Sequence, residues 1–374
     1  MKFLFLFFSL SICCRFSAAS EISLYERALE NLENERRFYI ENYHESKLKK
    51  LEKQNYSKIK YSRKIKTILS GINEAERIVK LKMHRIPLNR EIGNKKIIFI
   101  DPGHGGKEKG ANFKKAVIID GIEKELTENE INFEISLMVK KKLEQKGYIV
   151  ILSRDSVDDG PSLSARSALC RAIKPDISVS LHLNSSVYAF PIMNRPDTAM
   201  PELNYTRVFV WAPSAIDLFI PFYFSIYEKM KAEDTRGKSI RLAGFIAQNL
   251  KTHLNLDFYL STNDETKLET VKKLRQTLVP EKKEEISYEK YPTGLLEKYN
   301  NISKELQDDI IDYTGITGQD LHMVREIPAV PSVLVESVFL SCPYEQHKLV
   351  FKNRKQQIAL SVVEGIEQYF KNVK

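Results

Sequence analysis

Ile97-Ile98-Phe99-Ile100, running straight into Asp101-Pro102-Gly103-His104-Gly105-Gly106, is the stretch on which the fold turns. A short apolar run rich in β-branched and aromatic residues, stopped by Pro and Gly, is a strand whose carboxyl end spills into a tight turn. The glycines let the backbone bend sharply and leave a histidine at the strand's end, where α/β proteins place their sites. Working outward, the same grammar predicts strands over 148–152, 177–181, 208–211 and 333–335. Apolar residues at helical spacing predict helices near 127–146, 164–174, 239–254 and 356–370. The alternation predicts an α/β fold, a mostly parallel twisted sheet flanked by helices, preceded by an α-helical N-terminal region.

That preceding region, 21–94, has neither Gly nor Pro before Gly71 and carries Leu24, Ala28 and Leu32, then Ile65, Ile68 and Ile72, at helical spacing. Its lysine-rich middle, 47–66, reads as a solvated face. Pro87 and Gly93 end it, so the α/β domain is expected over 95–374. Within that domain a charged stretch at about 255–320 breaks the alternation and is expected to be an insertion. A 43% hydrophobic content over 374 residues supports a proper core, and a formal charge of +9 suits anionic polymers or surfaces without choosing among them. Residues 1–20 read as an export signal: Lys2, an apolar run over 3–12, then Ser17-Ala18-Ala19. Membrane association through a retained anchor, or through a lipid on Cys13 or Cys14, is the alternative. Cys170 and Cys342 are expected as two separate buried thiols, which excludes a cysteine metal cluster.

A second histidine stands at an equivalent place. Ile177-Ser178-Val179-Ser180-Leu181-His182 is a buried-type strand ending in an imidazole, with Asn184 two residues on as a candidate substrate contact. Catalytic zinc sites use three protein N or O ligands and leave a position open, so a carboxylate is sought nearby. Thr127-Glu128-Asn129-Glu130 resembles a capping box and puts Glu128 in a helix's first turn; Glu123 is a rival on the same loop. Either Glu128 is a ligand or it merely complements the helix dipole. Val333-Leu334-Val335 buries aliphatics and then delivers Glu336, which is costly to place unless paired or functional. The plain alternative is a salt bridge from Glu336 to Arg325. The functional reading is zinc hydrolysis, with the metal lowering the pKa of a bound water to about 7, Glu336 as general base, and Arg325 as a donor sharing the developing charge.

From about residue 96 to the C-terminus these motifs resemble the zinc-dependent N-acetylmuramoyl-L-alanine amidases of the type 3 class. The segment 97–106 is similar to that family's first-histidine loop, Glu128-Asn129-Glu130-Ile131-Asn132-Phe133 to its zinc-glutamate helix, 180–185 to its second-histidine strand, and 331–343 to the strand bearing its catalytic glutamate. Asn132 selects Glu128 over Glu123. The resemblance implies a zinc ion (Zn2+) on His104, Glu128 and His182, and cleavage of peptidoglycan between N-acetylmuramic acid and L-alanine in the periplasm or cell envelope of a bacterium. Ser337-Val338 departs from the small, Gly-containing sequence expected after the glutamate. Some members are held inactive by a helix over the zinc. A lid at 294–312, with Glu297 or Glu305 on the open metal position, is therefore an expectation here, together with an activator protein that relieves it. A zinc peptidase cutting within stem peptides and an inactive cell-wall-binding protein are the competing readings. Nucleic acid is not expected as a partner, since no reading motif is present.

Overall fold

The computed structural model describes residues 20–42, 58–85, 92–111, 117–119, 122–125, 127–185, 204–212, 221–256, 301–302, 304–305, 315–350 and 352–373. The expected signal, 1–20, lies outside them apart from Ser20. Two long helices come first, α1 (Glu21–Asn42) and α2 (Lys58–Met83). The strand and helix alternation then begins with β1 (Ile97–Pro102), a small hairpin of β2 (Val117–Ile119) and β3 (Ile122–Lys124), α3 (Glu128–Gln145), β4 (Ile149–Leu152), α4 (Leu163–Ile173) and β5 (Ile177–Asn184). It continues with β6 (Arg207–Trp211), α5 (Pro221–Ala232), α6 (Thr235–Leu254), β7 (Ile316–Gln319), the short α7 (His322–Arg325), β8 (Ser332–Phe339), α8 (Pro343–Val350) and α9 (Lys352–Asn372).

The main sheet has the order β4-β1-β5-β8-β6-β7. All neighbours run parallel except β8 and β6. The expected mostly parallel sheet is therefore present, with a reversed pair of strands at one edge. Alternate residues face opposite layers. Ile98, Ile100, Val150, Val179, Leu181, Val333 and Val335 pack with α3, α6 and α9. Phe99, Ile149 and Ile151 face the other way, onto α4 and the apolar stripes of α1 and α2. Leu24, Ala28, Leu32, Ile72 and Val79 are almost fully buried in that second layer. The helical N-terminal region thus supplies an outer layer of the same folded unit as the sheet. Polar contacts reinforce the join: Arg171 of α4 donates to Glu35 of α1 at 2.7 Å, and Ser162, the N-cap of α4, donates its hydroxyl to Glu74 of α2 at 2.6 Å.

β7 falls inside the stretch expected to interrupt the alternation, yet it pairs with β6 through Val208↔Ile316 to Trp211↔Gln319. Cys170 and Cys342 are buried free thiols, as expected. No helix among the described residues is long and apolar enough to cross a membrane.

Candidate metal centre

β1 carries Asp101 and Pro102 to the sheet rim, where the Gly103 N–H still donates to Leu181 O of β5 at 2.9 Å. The chain then turns through left-handed backbone at His104 (φ 59°), Gly105 and Gly106 (φ 56°). That conformation costs an L-residue such as His104 about 1–2 kcal/mol, so something must hold it. Two arginines do. Arg166 of α4 donates to the Asp101 carboxylate at 3.0 Å, to Pro102 O at 2.8 Å and to His104 O. Arg154, just after β4, donates to Pro102 O and Gly103 O, both at 3.2 Å, and to Asn129 O at 2.7 Å. Both side chains are buried, and Asp101 also accepts from Ser153 and Ser180.

α3 begins at Glu128 as expected, but the capping box is not made. The Thr127 side chain caps nothing and donates instead to Asn129 Oδ1. The first-turn N–H groups of Glu128 and Asn129 donate to Ala111 O (3.0 Å) and Lys109 O (3.1 Å), so the continuation of the His104 loop caps the helix. That docking aims Glu128 at both histidines. Its Oε2 accepts from the Ala111 N–H at 2.7 Å. Its Oε1 accepts from Asn132 Nδ2 at 3.2 Å and from the Leu183 N–H at 3.1 Å, and lies 3.1 Å from His104 Nε2 and 3.0 Å from His182 Nδ1.

One ligand atom from each of His104, Glu128 and His182 can be chosen so that all lie within 4.8 Å of one another. Ligands held at about 2.0–2.1 Å in a tetrahedron sit roughly 3.3 Å apart, close to the spacings from Glu128 Oε1 to the two rings. Two imidazoles and one carboxylate oxygen are also a donor set that suits zinc. Burial works against charge on all three groups, but their mutual hydrogen bonds and attraction outweigh it. Both histidines are raised above their ordinary value, and Glu128 is held well below the usual carboxylate range. Glu108 Oε1 meets His104 Nδ1 at 3.0 Å. A metal-binding histidine with its other nitrogen fixed by a carboxylate is held in tautomer and orientation. Sequence reasoning missed Glu108; its signal was its place four residues after His104, across a turn containing two glycines.

Glu336 sits beside this cluster because β5 and β8 are in register at His182↔Glu336. Among the described residues, its buried Oε2 has no hydrogen-bond partner. Burial pushes the carboxyl up to about 7, with the Glu128 charge adding to the rise and the two histidines and Arg207 opposing it. The other expected residues fare differently. Arg325 is bound to Asp320 (2.7 Å) and Glu326 (2.9 Å). It lies near Ser332, the first residue of β8, where the Val324 carbonyl accepts from the Ser332 hydroxyl. Glu336 is roughly 13 Å further along that strand. Among the described contacts, then, Arg325 pairs with Asp320 and Glu326 rather than with Glu336, which lies midway along β8. Asn184 stays at the rim, its Oδ1 accepting from the Ser185 N–H at 2.8 Å. Glu123 pairs with Ile118 in the β2–β3 hairpin. Glu297 lies outside the described residues, and Glu305 is exposed and is not one of the three gathered groups.

Residues 98–368 match the family model described as N-acetylmuramoyl-L-alanine amidase. The chain is similar to the N-acetylmuramoyl-L-alanine amidase AmiC of Neisseria meningitidis, with 26% identity over 278 residues covering 74% of this chain and 53% of the relative. It is similar to AmiA of Escherichia coli, with 23% identity over 306 residues covering 81% and 87%. Among solved structures, an N-acetylmuramoyl-L-alanine amidase from Clostridium difficile 630 aligns with a TM-score of 0.44 and 20% identity, covering 75% of this chain and 100% of that one. The chain spans about half the length of the first curated relatives it matches. The family match runs from β1 into α9, across the strands and helix that present His104, Glu128, His182 and Glu336, and the chain belongs to the N-acetylmuramoyl-L-alanine amidase family.

Proposed function

We propose that the protein is a zinc-dependent peptidoglycan hydrolase that cuts the amide between N-acetylmuramic acid and the L-alanine of the stem peptide. The observation that carries this reading is the buried carboxylate oxygen of Glu336, unpartnered among the described residues, beside a His-Glu-His donor set at a sheet rim. What zinc supplies, when held by His104, Glu128 and His182, is Lewis acidity and a water acidic enough to ionise near neutral pH.

The rest is the work of the chain. Glu128 is fixed through both carboxylate oxygens, and His104 is fixed through Glu108, so the donor set is organised before anything binds. Glu336, with a carboxyl that burial makes a better proton acceptor, takes the water proton and returns it to the leaving amine. Such a substrate places the enzyme in the cell envelope, and the signal-like start at 1–20 supports export. The lid at 294–312 and an activator that lifts it remain a proposal resting on the position of that segment. Deleting it and measuring hydrolysis of purified sacculi decides the matter, and unchanged activity refutes it.

The test of the main reading is metal content and sacculus cleavage in the parent and in Glu336→Gln. Zinc is retained at parental stoichiometry in the variant and cleavage falls by about 10²–10⁴-fold. Loss of metal, or full activity, overturns the role of Glu336.

A further inference from the structure

The family match begins at residue 98, so α2 lies ahead of it, yet α2 reaches the loop that backs the metal centre. Residues 153–162 join β4 to α4. The middle of this loop lies directly against the turn that carries His104. The Gly106 N–H donates to Val157 O at 2.9 Å. A methyl on Gly105 would stand 2.4 Å from Asp159 O, and one on Gly106 would stand 3.0 Å from Asp158 O. The loop is braced from within: Arg154 donates to Ser156 O at 2.8 Å, and the Asp155 N–H donates to Asp159 Oδ2 at 3.1 Å. Where this braced loop sits, the two glycines after His104 must follow.

α2 ties the loop at both ends from one face, with Glu74 and Lys82 roughly 12 Å apart along the helix axis. At one end Glu74 accepts from the Ser162 N–H at 3.2 Å and from its hydroxyl at 2.6 Å. At the other the Lys82 ammonium donates to Asp155 Oδ1, and the exposed Arg85 reaches Asp155 Oδ2 at 3.3 Å. Between the ties a cavity of about 290 Å³, lined by Arg77, Ile78, Leu81 and Pro161 among others, lies between helix and loop. The ties, rather than close packing, therefore set the height of the loop above α2. Lys82 is only 5% exposed. Burial pulls its ammonium below the ordinary lysine value, and the charge and hydrogen bond of Asp155 oppose that shift. A buried ammonium is costly unless paired, and here its partner follows directly on Arg154, which holds the carbonyls of Pro102 and Gly103.

We propose that Lys82 is a positioning residue for the His104 turn: through Asp155 it seats the 155–160 loop against Gly105 and Gly106 and so keeps His104 in register with Glu128 and His182. The proposal rests on the metal-centre reading, and two measurements keep their failures apart. Zinc is titrated into the chelator-stripped full chain of the parent, Lys82→Met, Asp155→Asn, the two combined, and Ile72→Ala. Lys82→Met weakens zinc binding by about tenfold, the lower end for residues that orient a ligand from outside the donor set. The combined variant binds no more weakly than the weaker single variant, because both remove one tie. Ile72→Ala, which loosens the same helix but leaves both ties in place, binds zinc as the parent does. Amide exchange is then followed in the zinc-free chain, where Lys82→Met speeds exchange at Gly105 and Gly106 by about tenfold and Ile72→Ala does not. If Lys82→Met fails to fold, Asp155→Asn, altered at a partly exposed side chain, carries the same two expectations. Parental zinc affinity and parental exchange in these variants overturn the proposal, as does an equal loss in Ile72→Ala. A parent that binds no zinc, with exchange still quickened by Lys82→Met alone, sinks the metal reading and leaves the seating of the turn by Lys82 in place.

Discussion

Gly103→Ala is the perturbation whose consequence the structure specifies most closely. A methyl at Gly103 would stand 2.4 Å from His182 Cε1, 2.5 Å from Nε2 and 2.6 Å from Nδ1, so the ring lies flat on the glycine. Ordinary contact begins at 3.4 Å, and the ring or the backbone must therefore give by about 1 Å. The backbone is poorly placed to yield, because the Gly103 N–H is bonded to Leu181 O and its carbonyl to Arg154. The ring yields instead and moves against Glu128, which the Ala111 and Leu183 N–H groups hold in place. A ligand misplaced by about 1 Å lies outside the roughly 0.5 Å tolerance of a preorganised site. Zinc affinity should fall by about 10–100-fold, and turnover by on the order of 10²-fold. The assay titrates zinc into chelator-stripped protein against a colorimetric competitor, with circular dichroism showing that the fold is kept. Parental zinc affinity in Gly103→Ala would refute the placement of His182 as a ligand seated on this glycine.

Arg166→Met leaves the Asp101 carboxylate, 1% exposed, without its cation, and should cost about 3–5 kcal/mol in urea denaturation. Burial, helped by Arg325, Arg171 and Lys64, draws His322 down from 6.5 to about 4, so the fold accommodates the neutral ring. Its contribution is complete above pH 6.5 and is lost as pH falls toward 4, up to about 3 kcal/mol; His322→Asn should show a flatter stability profile across that window, read from denaturant midpoints. Ile72→Ala on α2, at a site with no solvent exposure, should lower global stability by about 2–5 kcal/mol in one cooperative transition shared with the sheet. A separate early transition would show instead that the N-terminal helices unfold on their own.

The five strands β4, β1, β5, β8 and β6 were legible because each is a short β-branched or aromatic run, and two of them lead into a histidine, whereas β7 lay hidden in a charged stretch. Glu128 was legible only through its register with Asn132, and the structure gives the reason: Asn132 Nδ2 donates to the Glu128 carboxylate one helical turn back. The role of α1 and α2 was not legible, because an apolar stripe does not name its partner, and theirs are Phe99, Ile149, Ile151 and the residues of α4. The expected capping box is not made because the Thr127 hydroxyl turns to Asn129 Oδ1, while the carbonyls of Lys109 and Ala111, distant in sequence, serve the first two N–H groups of the helix. Glu108 escaped notice for the same kind of reason. It acquires meaning only from its contact with His104 across a turn, which composition and periodicity do not encode.

The bond that is cut is the most direct question to put to the account. Purified peptidoglycan digested by the zinc-loaded protein and analysed by mass spectrometry should release intact stem peptides beginning at a free L-alanine, leaving glycan with unsubstituted lactyl groups. Fragments cut within the stem, with L-alanine still joined to muramic acid, would contradict it.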